Sequence, residues 1–374
     1  MTGSSSKLSR AGGGILDQQI TDRKAEHISV VTGEQVEPTT RASWEDVLLV
    51  HNCLPEIDLA DVSLEVEFLG RRLAAPVIIS SMTGGHALAK EINAVLAEAA
   101  QELGVAMGVG SQRAYLRDPA VADSYAVVRK HAPSAFIVGN VGAPQLIAQG
   151  AEPAMTLPQI RAAIELIQAD ALAVHLNYLQ ETVQPEGDTR ARGVLHAIGE
   201  VAAGVRVPVI AKETGAGMAA PQAIQLKEAG VSALDVGGLG GTSFAMVEAH
   251  RARISQRLDK AALGELFSRW GIPTAVSVVL SAAAGLPIIG SGGIRSGLDA
   301  ARALALGASL VGVARPLLLT AQQGVAATVE WLRRFLEELR TAMFLTGSAT
   351  VAALRGKAVL TGISRDLVAT LTPA

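Results

Sequence analysis

The chain has 374 residues, 49% of them hydrophobic and only 3% aromatic, with a formal net charge of −3. That length suits a barrel of eight repeating units, and a core of Val, Ile, Leu and Ala suits parallel strands buried on both faces. Scarce rings and negative charge exclude a nucleic-acid binder that stacks bases, and no run of about 18 uncharged apolar residues is present to span a membrane.

From the beginning of the chain, residues 1–18 are rich in Ser and Gly and lack a signal peptide's apolar stretch, so they read as a disordered leader. Residues 19–75 read as an extension capping the barrel, and they contain the single cysteine, Cys53. One cysteine excludes an internal disulfide or a cysteine-rich metal site, and it points to the cytoplasm. Eight short apolar runs then recur: Pro76–Ser81, Val105–Val109, Ala135–Gly139, Ala171–Asn177, Val207–Lys212, Ala233–Gly237, Leu286–Ser291 and Ser309–Val313. Ala-rich stretches with helical spacing separate them, as in Glu91–Leu103, where Ile92, Val95, Leu96, Ala99, Ala100 and Leu103 recur.

Alternating strands and helices imply right-handed βαβ crossovers, and eight units imply closure into an α/β, (β/α)8 TIM barrel over residues 76–345. A doubly wound open sheet fits less well, because no switch point is visible. Residues 346–374 are left as a C-terminal tail segment. The long polar connection Leu239–Ser268 is either a lid or a surface excursion.

In such a barrel, chemistry sits just after the strand C-termini, and the polar residues of this chain cluster there. Leu286–Gly297 (LPIIGSGGIRSG) and Gly312–Pro316 (GVARP) follow strands seven and eight, where glycines let backbone N–H groups approach a phosphate. A tight turn with no ligand is the plainer reading, and the paired position counts against it. Lys212 ends strand five in VIAKETGAG. An unpaired buried ammonium is costly, so Lys212 either pairs with Glu213, forms a Schiff base or faces a flavin edge; the phosphate cradle favours the flavin. His175 and Asn177 share one face of strand four, and Glu181 offers a hard oxygen to Mg²⁺. Taken alone, each is equally a satisfied or solvated side chain. Arg23 and Lys24 form a basic pair, with His27 beside them on a helix, and Arg113 adds a cation at the barrel mouth.

These segments together resemble the type 2 isopentenyl-diphosphate isomerases. The matching pieces are RKAEH at 23–27, SSMTGG at 80–85, GSQRA at 110–114, GNVGA at 139–143 and HLNYLQE at 175–181, followed by KETGAG at 212–217, GGTSF at 240–244 and GSGGIRSG at 290–297. They cover roughly residues 20–345 in the family's order. The pairing of HLNxxQE with RKxxH is specific, while the remaining glycine motifs occur across FMN barrels.

The resemblance implies an FMN enzyme that interconverts isopentenyl and dimethylallyl diphosphate, with reduced flavin as acid and base. It implies that Arg23, Lys24, Ser111, Gln112 and Arg113 grip the diphosphate, with His175 and Asn177 nearby. Gln180 would contact the reacting end, and Glu181 would hold Mg²⁺. FMN would meet Ser80, Ser81, Met82, Thr83, Ser111, Asn140, Lys212 and Thr242, and its phosphate would meet Gly292, Gly293, Arg295, Ala314 and Arg315. Gln180, His175, Asn177 and Lys212 form the catalytic set. NADPH is the expected reductant and a homo-oligomer, a tetramer or octamer, the expected assembly.

Two rivals on the same fold need groups that are missing here. An α-hydroxy-acid oxidase needs a late His base, yet no His follows His250; an IMP-dehydrogenase-like enzyme needs a loop Cys, yet Cys53 precedes the barrel. A non-catalytic phosphate-binding barrel would have no use for Lys212, Gln180 and Glu181 at strand ends.

Overall fold

A computed structural model describes residues 26–33, 36 and 42–372. Eight strands close a parallel barrel: β1 Val77–Ile79, β2 Ala106–Gly108, β3 Ile137–Gly142, β4 Ala171–Leu176, β5 Val209–Glu213, β6 Ala233–Asp235, β7 Ile288–Ser291 and β8 Leu310–Val313. Each pairs with its sequence neighbour, and β8 returns to β1 through Val311–Val77, Gly312–Ile78 and Val313–Ile79. All eight expected runs are strands. β3 differs in register: it runs on to Gly142, so Asn140 lies within the strand rather than after it.

Alternation sorts the strand residues into two layers. Ile78, Ala106, Ala171, Ala173, Ile210, Ala233, Ile289 and Leu310 fill the interior, while Val77, Ile79, Met107 and Val311 meet the surrounding helices. Half of these interior residues are alanine and half are isoleucine or leucine. The hairpin of Val66–Phe68 and Arg71–Leu73 stoppers the N-terminal end, where Phe68 and Leu73 join the interior cluster and Phe68 meets Phe136 edge-on at 5.9 Å.

The helices start and stop where local chemistry directs. In α1 (Ala87–Leu103) the His86 ring accepts from Ala89 N–H, and Gly104 ends the helix at φ +61°. Ile92, Leu96, Ala99 and Ala100 face inward with almost no exposure. Truncating Leu96 to Ala would cost about 2–5 kcal/mol. α2 spans Asp123–His131. α3 (Leu157–Leu166) opens on a Thr156–Gln159 capping box. α4 (Val194–Gly204), α5 (Ala220–Glu228) and α6 (Thr274–Ser281) follow. α7 (Gly297–Ala305) opens on a Ser296–Asp299 box, and α8 (Val325–Leu345) completes the ring.

Three features lie outside this plan. The connection around Leu239–Ser268 folds into an antiparallel helical hairpin, Phe244–Ile254 and Leu258–Leu266. A helix at 26–33 buries Ile28, Val30 and Val31 beside the barrel mouth. Residues 358–360 pair antiparallel with 47–49, and the helix Gly362–Leu371 follows. The expected leader (1–18) and the basic pair Arg23 and Lys24 lie outside the described residues.

Candidate active site

One cavity occupies the C-terminal mouth of the barrel and takes residues from all eight strand ends. Ser80–Thr83, Ser111, Arg113, Asn140, His175, Asn177, Gln180, Glu181, Lys212, Thr242, Gly292, Gly293, Arg295, Ala314 and Arg315 line it together. Residues spread over more than 200 positions thus meet in one place. Gln112 does not join them. It is fully buried, donating to Ala163 O at 2.7 Å and accepting from Asn140 N–H at 3.1 Å, so it braces β3 rather than facing the cavity.

Lys212 stands at the centre. Its ammonium pairs with Asp235 across the β5–β6 ladder at 2.8 Å, and Ser291 on β7 donates to the other Asp235 oxygen. Glu213 is not its partner. That carboxylate turns away and accepts from the N–H groups of Gly215 and Ala216, each at 2.5 Å, and of Gly217 at 3.2 Å. Burial pushes the Glu213 carboxyl up to about 7, while four backbone N–H groups of residues 214–217 pull it back down.

The wall formed by β7 and β8 is almost bare backbone. Gly292 and Gly293 hold φ of +115° and +70°. A Cβ on Gly292 would strike the Gly238 carbonyl, and one on Gly293 would lie 2.5 Å from Ala42 Cβ. On Gly312 a Cβ would lie 2.7 Å from Ser80 Oγ. Only glycine fits these three places, and the result is a row of exposed peptide groups with Arg295 and Arg315 at its edge. Arg315 also donates from Nε to Val31 O at 2.9 Å, tying the 26–33 helix to this turn.

The opposite wall consists of interlocked side chains. His175 Nδ1 lies 2.7 Å from Asn140 Oδ1. Gln180 and Glu181, just past the end of β4, sit on a short helix, Tyr178–Val183. The Asn177 amide donates to Gln180 at 3.2 Å and to Glu181 at 3.0 Å, and Asp188 N–H donates to the second Glu181 oxygen at 2.8 Å. Gln180 in turn donates 2.7 Å to Glu248, on the first helix of the hairpin. Glu248 has no exposed side-chain surface and also receives His27 at 2.8 Å and Arg251 at 2.5 Å. Burial pushes its carboxyl up, but His27, Arg251 and Gln180 outweigh that and hold it at about 2. Arg251 reaches further, to Glu26 at 2.8 Å and Glu186 at 3.2 Å.

Glu248 and Asp235 were missing from the sequence-derived site. Asp235 carried a readable signal, a carboxylate inside an apolar strand run. Glu248 carried only an i,i+3 Glu–Arg pair on a polar connection, which is equally a solvated helix face. Arg113 is expected to meet phosphate; here it is paired with Asp188 at 2.7 Å and Glu152 at 3.2 Å.

The donor set fits FMN. The Oγ of Ser80, beside the glycine wall, is buried without a hydrogen-bond partner, and so are Asn177 Oδ1 and Gln184 Nε2 on the facing wall. Buried polar atoms are ordinarily satisfied, so three around one cavity call for a polar ligand. Among the described residues no group of three His, Cys, Asp or Glu could hold a metal by itself.

The comparisons with known proteins agree with this geometry. The model of the family described as FMN-dependent dehydrogenase matches residues 18–124 and 194–361. An isopentenyl-diphosphate delta-isomerase of Methanothrix thermoacetophila is 48% identical over 347 residues, 92% of this chain and 95% of its own. Those of Methanosarcina acetivorans, at 49% over 90% and 91% of the two chains, and of Halobacterium salinarum, at 48% over 94% and 96%, are similarly related. Among solved structures, a mandelate oxidase bound to (S)-2-phenylpropionate superposes with a TM-score of 0.59 at 22% identity, covering 92% of this chain and 98% of its own. At that identity the likeness is one of fold.

Proposed function

The chain belongs to the isopentenyl-diphosphate delta-isomerase family, within the FMN-dependent barrels, and on that premise we propose that it interconverts isopentenyl and dimethylallyl diphosphate. The reaction moves a proton from C2 to C4 of the substrate through positive charge at the tertiary C3, with no net redox change. The observation that carries the reading is the union of a glycine-built backbone wall, a partly buried lysine paired with Asp235 and a side-chain wall with unsatisfied polar atoms in one cavity.

When bound in its reduced form, the flavin supplies proton donor and acceptor and an electron-rich face for the developing charge. The chain's own residues place and hold. Gly292, Gly293, Arg295, Ala314 and Arg315 receive the FMN phosphate, while Ser80–Thr83, Ser111, Asn140 and Thr242 meet the remainder. Lys212, fixed by its ion pair with Asp235, would offer a positive charge to the flavin's N1 side. Ser111 and Arg113, with Arg23 and Lys24, take the diphosphate, with His175 and Asn177 beside them. Gln180, steadied by Glu248, lies at the alkene end, where its amide orients the reacting carbons. Glu181 holds Mg²⁺ against the diphosphate.

NADPH serves only to prime the flavin, and the enzyme works in the cytoplasm as a homo-oligomer. No helix among the described residues is long and apolar enough to cross a membrane. The test is the visible spectrum of the purified protein. A flavin band that bleaches under dithionite, with isomerisation appearing only after bleaching, is the expected result. Isomerisation by flavin-free protein overturns it.

A further inference from the structure

Glu213 is a strongly shifted acid at the mouth for which the proposed reaction has no use, and its surroundings are unusually well defined. It follows Lys212 directly, and its backbone carbonyl lies 3.4 Å from Lys212 Nζ. Its carboxylate sits behind the β5–α5 loop and collects the N–H groups of Gly215, Ala216 and Gly217. Glu213, Thr214 and Gly215 line the main cavity, and Glu213 also borders two smaller clefts beside Trp270. The loop is therefore a thin partition with the substrate cavity on one side and those clefts on the other.

The partition has little slack. Gly215 and Gly217 hold φ of +152° and +78°, and a Cβ on Gly217 would lie 2.6 Å from the Ile272 carbonyl. Thr214 Oγ1 reaches Leu176 O only at 3.4 Å, and Ile272 N–H (to Ala216 O, 2.8 Å) and Ser277 Oγ (from Met218 N–H, 2.7 Å) hold the far side of the loop, so for the N–H groups of Gly215 and Ala216 the carboxylate is the short acceptor. Among the described residues no other charged side chain lines the two clefts. On its own strand and the two beside it the charged or titratable groups are Lys212 and Asp235, paired with each other, and His175, held by Asn140.

We propose that Glu213 is a positioning residue: its ionised carboxylate clasps residues 215–217 and so holds the cavity wall and the adjoining Lys212 backbone in place for the isomerisation. The inference rests on the function proposed above. An N–H group can only donate, so each of these three bonds is strong when the carboxylate is charged and weakens when it is protonated. With the carboxyl poised near 7, the clasp is closed above that pH and loosens below it. The diphosphate grip lies on other strands, so the effect falls on kcat rather than KM.

Amide hydrogen exchange of Gly215 and Ala216 in the flavin-loaded protein, corrected for the intrinsic chemical rate, reads the clasp without turnover. Protection is expected to fall as pH drops from about 8 to 6. Glu213→Gln, which keeps the shape and removes the charge, should show low protection at every pH. Its kcat should be about tenfold lower, with an unchanged KM and a flattened pH profile. Wild-type protection that is flat across this range, or full protection in Glu213→Gln, overturns the proposal; so does protection that follows Glu213 while kcat does not move. Should Glu213→Gln fail to fold, the wild-type exchange profile decides. If neither protein isomerises, the functional reading has failed, and exchange alone still decides whether Glu213 clasps the loop.

Discussion

The two walls of the cavity are made from opposite materials. The β7–β8 wall is shaped by side chains that are absent: Gly292, Gly293 and Gly312 leave room for nothing larger. The β4 wall is shaped by side chains that hold one another, from His175 and Asn177 through Gln180 and Glu181 to Glu248, His27 and Arg251. A wall of backbone tolerates no substitution, because Ala42, Ser80 and Gly238 already fill the space a side chain would need. A wall of side chains can be tuned residue by residue, and it depends on partners brought from far along the chain.

Breaking the backbone wall should have the largest effect, because protein that loses its flavin loses turnover altogether. Gly292→Ala places a Cβ against the Gly238 carbonyl at a left-handed φ, a strain of about 1–3 kcal/mol before the phosphate is considered. Flavin content per protein, from the visible spectrum, should fall at least tenfold. Full flavin loading would show that the turn carries no phosphate.

Glu248→Gln tests the other wall. It leaves Arg251 and His27 without their buried carboxylate, and kcat is expected to drop about 100-fold at normal flavin content. The same carboxyl makes a pH prediction. Held at about 2 when folded, against an ordinary 4.5, it stabilises the fold fully above about 4.5. That contribution, about 3 kcal/mol, is lost as pH falls from there toward 2. Chemical denaturation from pH 6 to 3 should therefore show a shallower slope in Glu248→Gln than in the wild type, and identical slopes would remove the carboxylate from this role.

A pair of neighbours sharpens the comparison further. Gln180→Leu should lower kcat by roughly 10–100-fold, the loss of a hydrogen bond to a charged group, and leave Mg²⁺ dependence unchanged. Glu181→Gln should instead move the Mg²⁺ dependence of the rate to higher concentration. The same Mg²⁺ shift in both variants would mean that the two residues do not divide the work. The smallest expected effect is that of Arg23→Ala, a rise in KM of about tenfold with flavin unaltered, as one phosphate contact is worth about 1.5 kcal/mol or more. A flat KM would return Arg23 to the solvent.

How far the sequence disclosed this site follows the same division. The eight strands were readable because β-branched and apolar runs buried on both faces leave a local pattern. The backbone wall was readable because GSGGIRSG is contiguous. The side-chain wall was legible only as far as its local half, HLNYLQE. His27 and Glu248 are 221 residues apart, and no local pattern predicts which distant carboxylate a histidine will meet. The helical hairpin was missed for a related reason, since its charged outer face reads as a polar connection. Gln112 was placed by its neighbours Ser111 and Arg113, while the helix start at Arg113 turns its side chain toward Ala163.

The strand pair joining 47–49 to 358–360 and the closure of β8 on β1 also bear on how the chain is born. Val47 finds Leu360 and Val77 finds Val311 only after most of the intervening chain has left the ribosome. At about 5–20 residues per second, the first-made strands wait roughly 15–60 s for their partners. During that interval the apolar edge of β1 is open to any other strand, so the nascent chain is most exposed to misassembly, and to chaperone capture, at its oldest end.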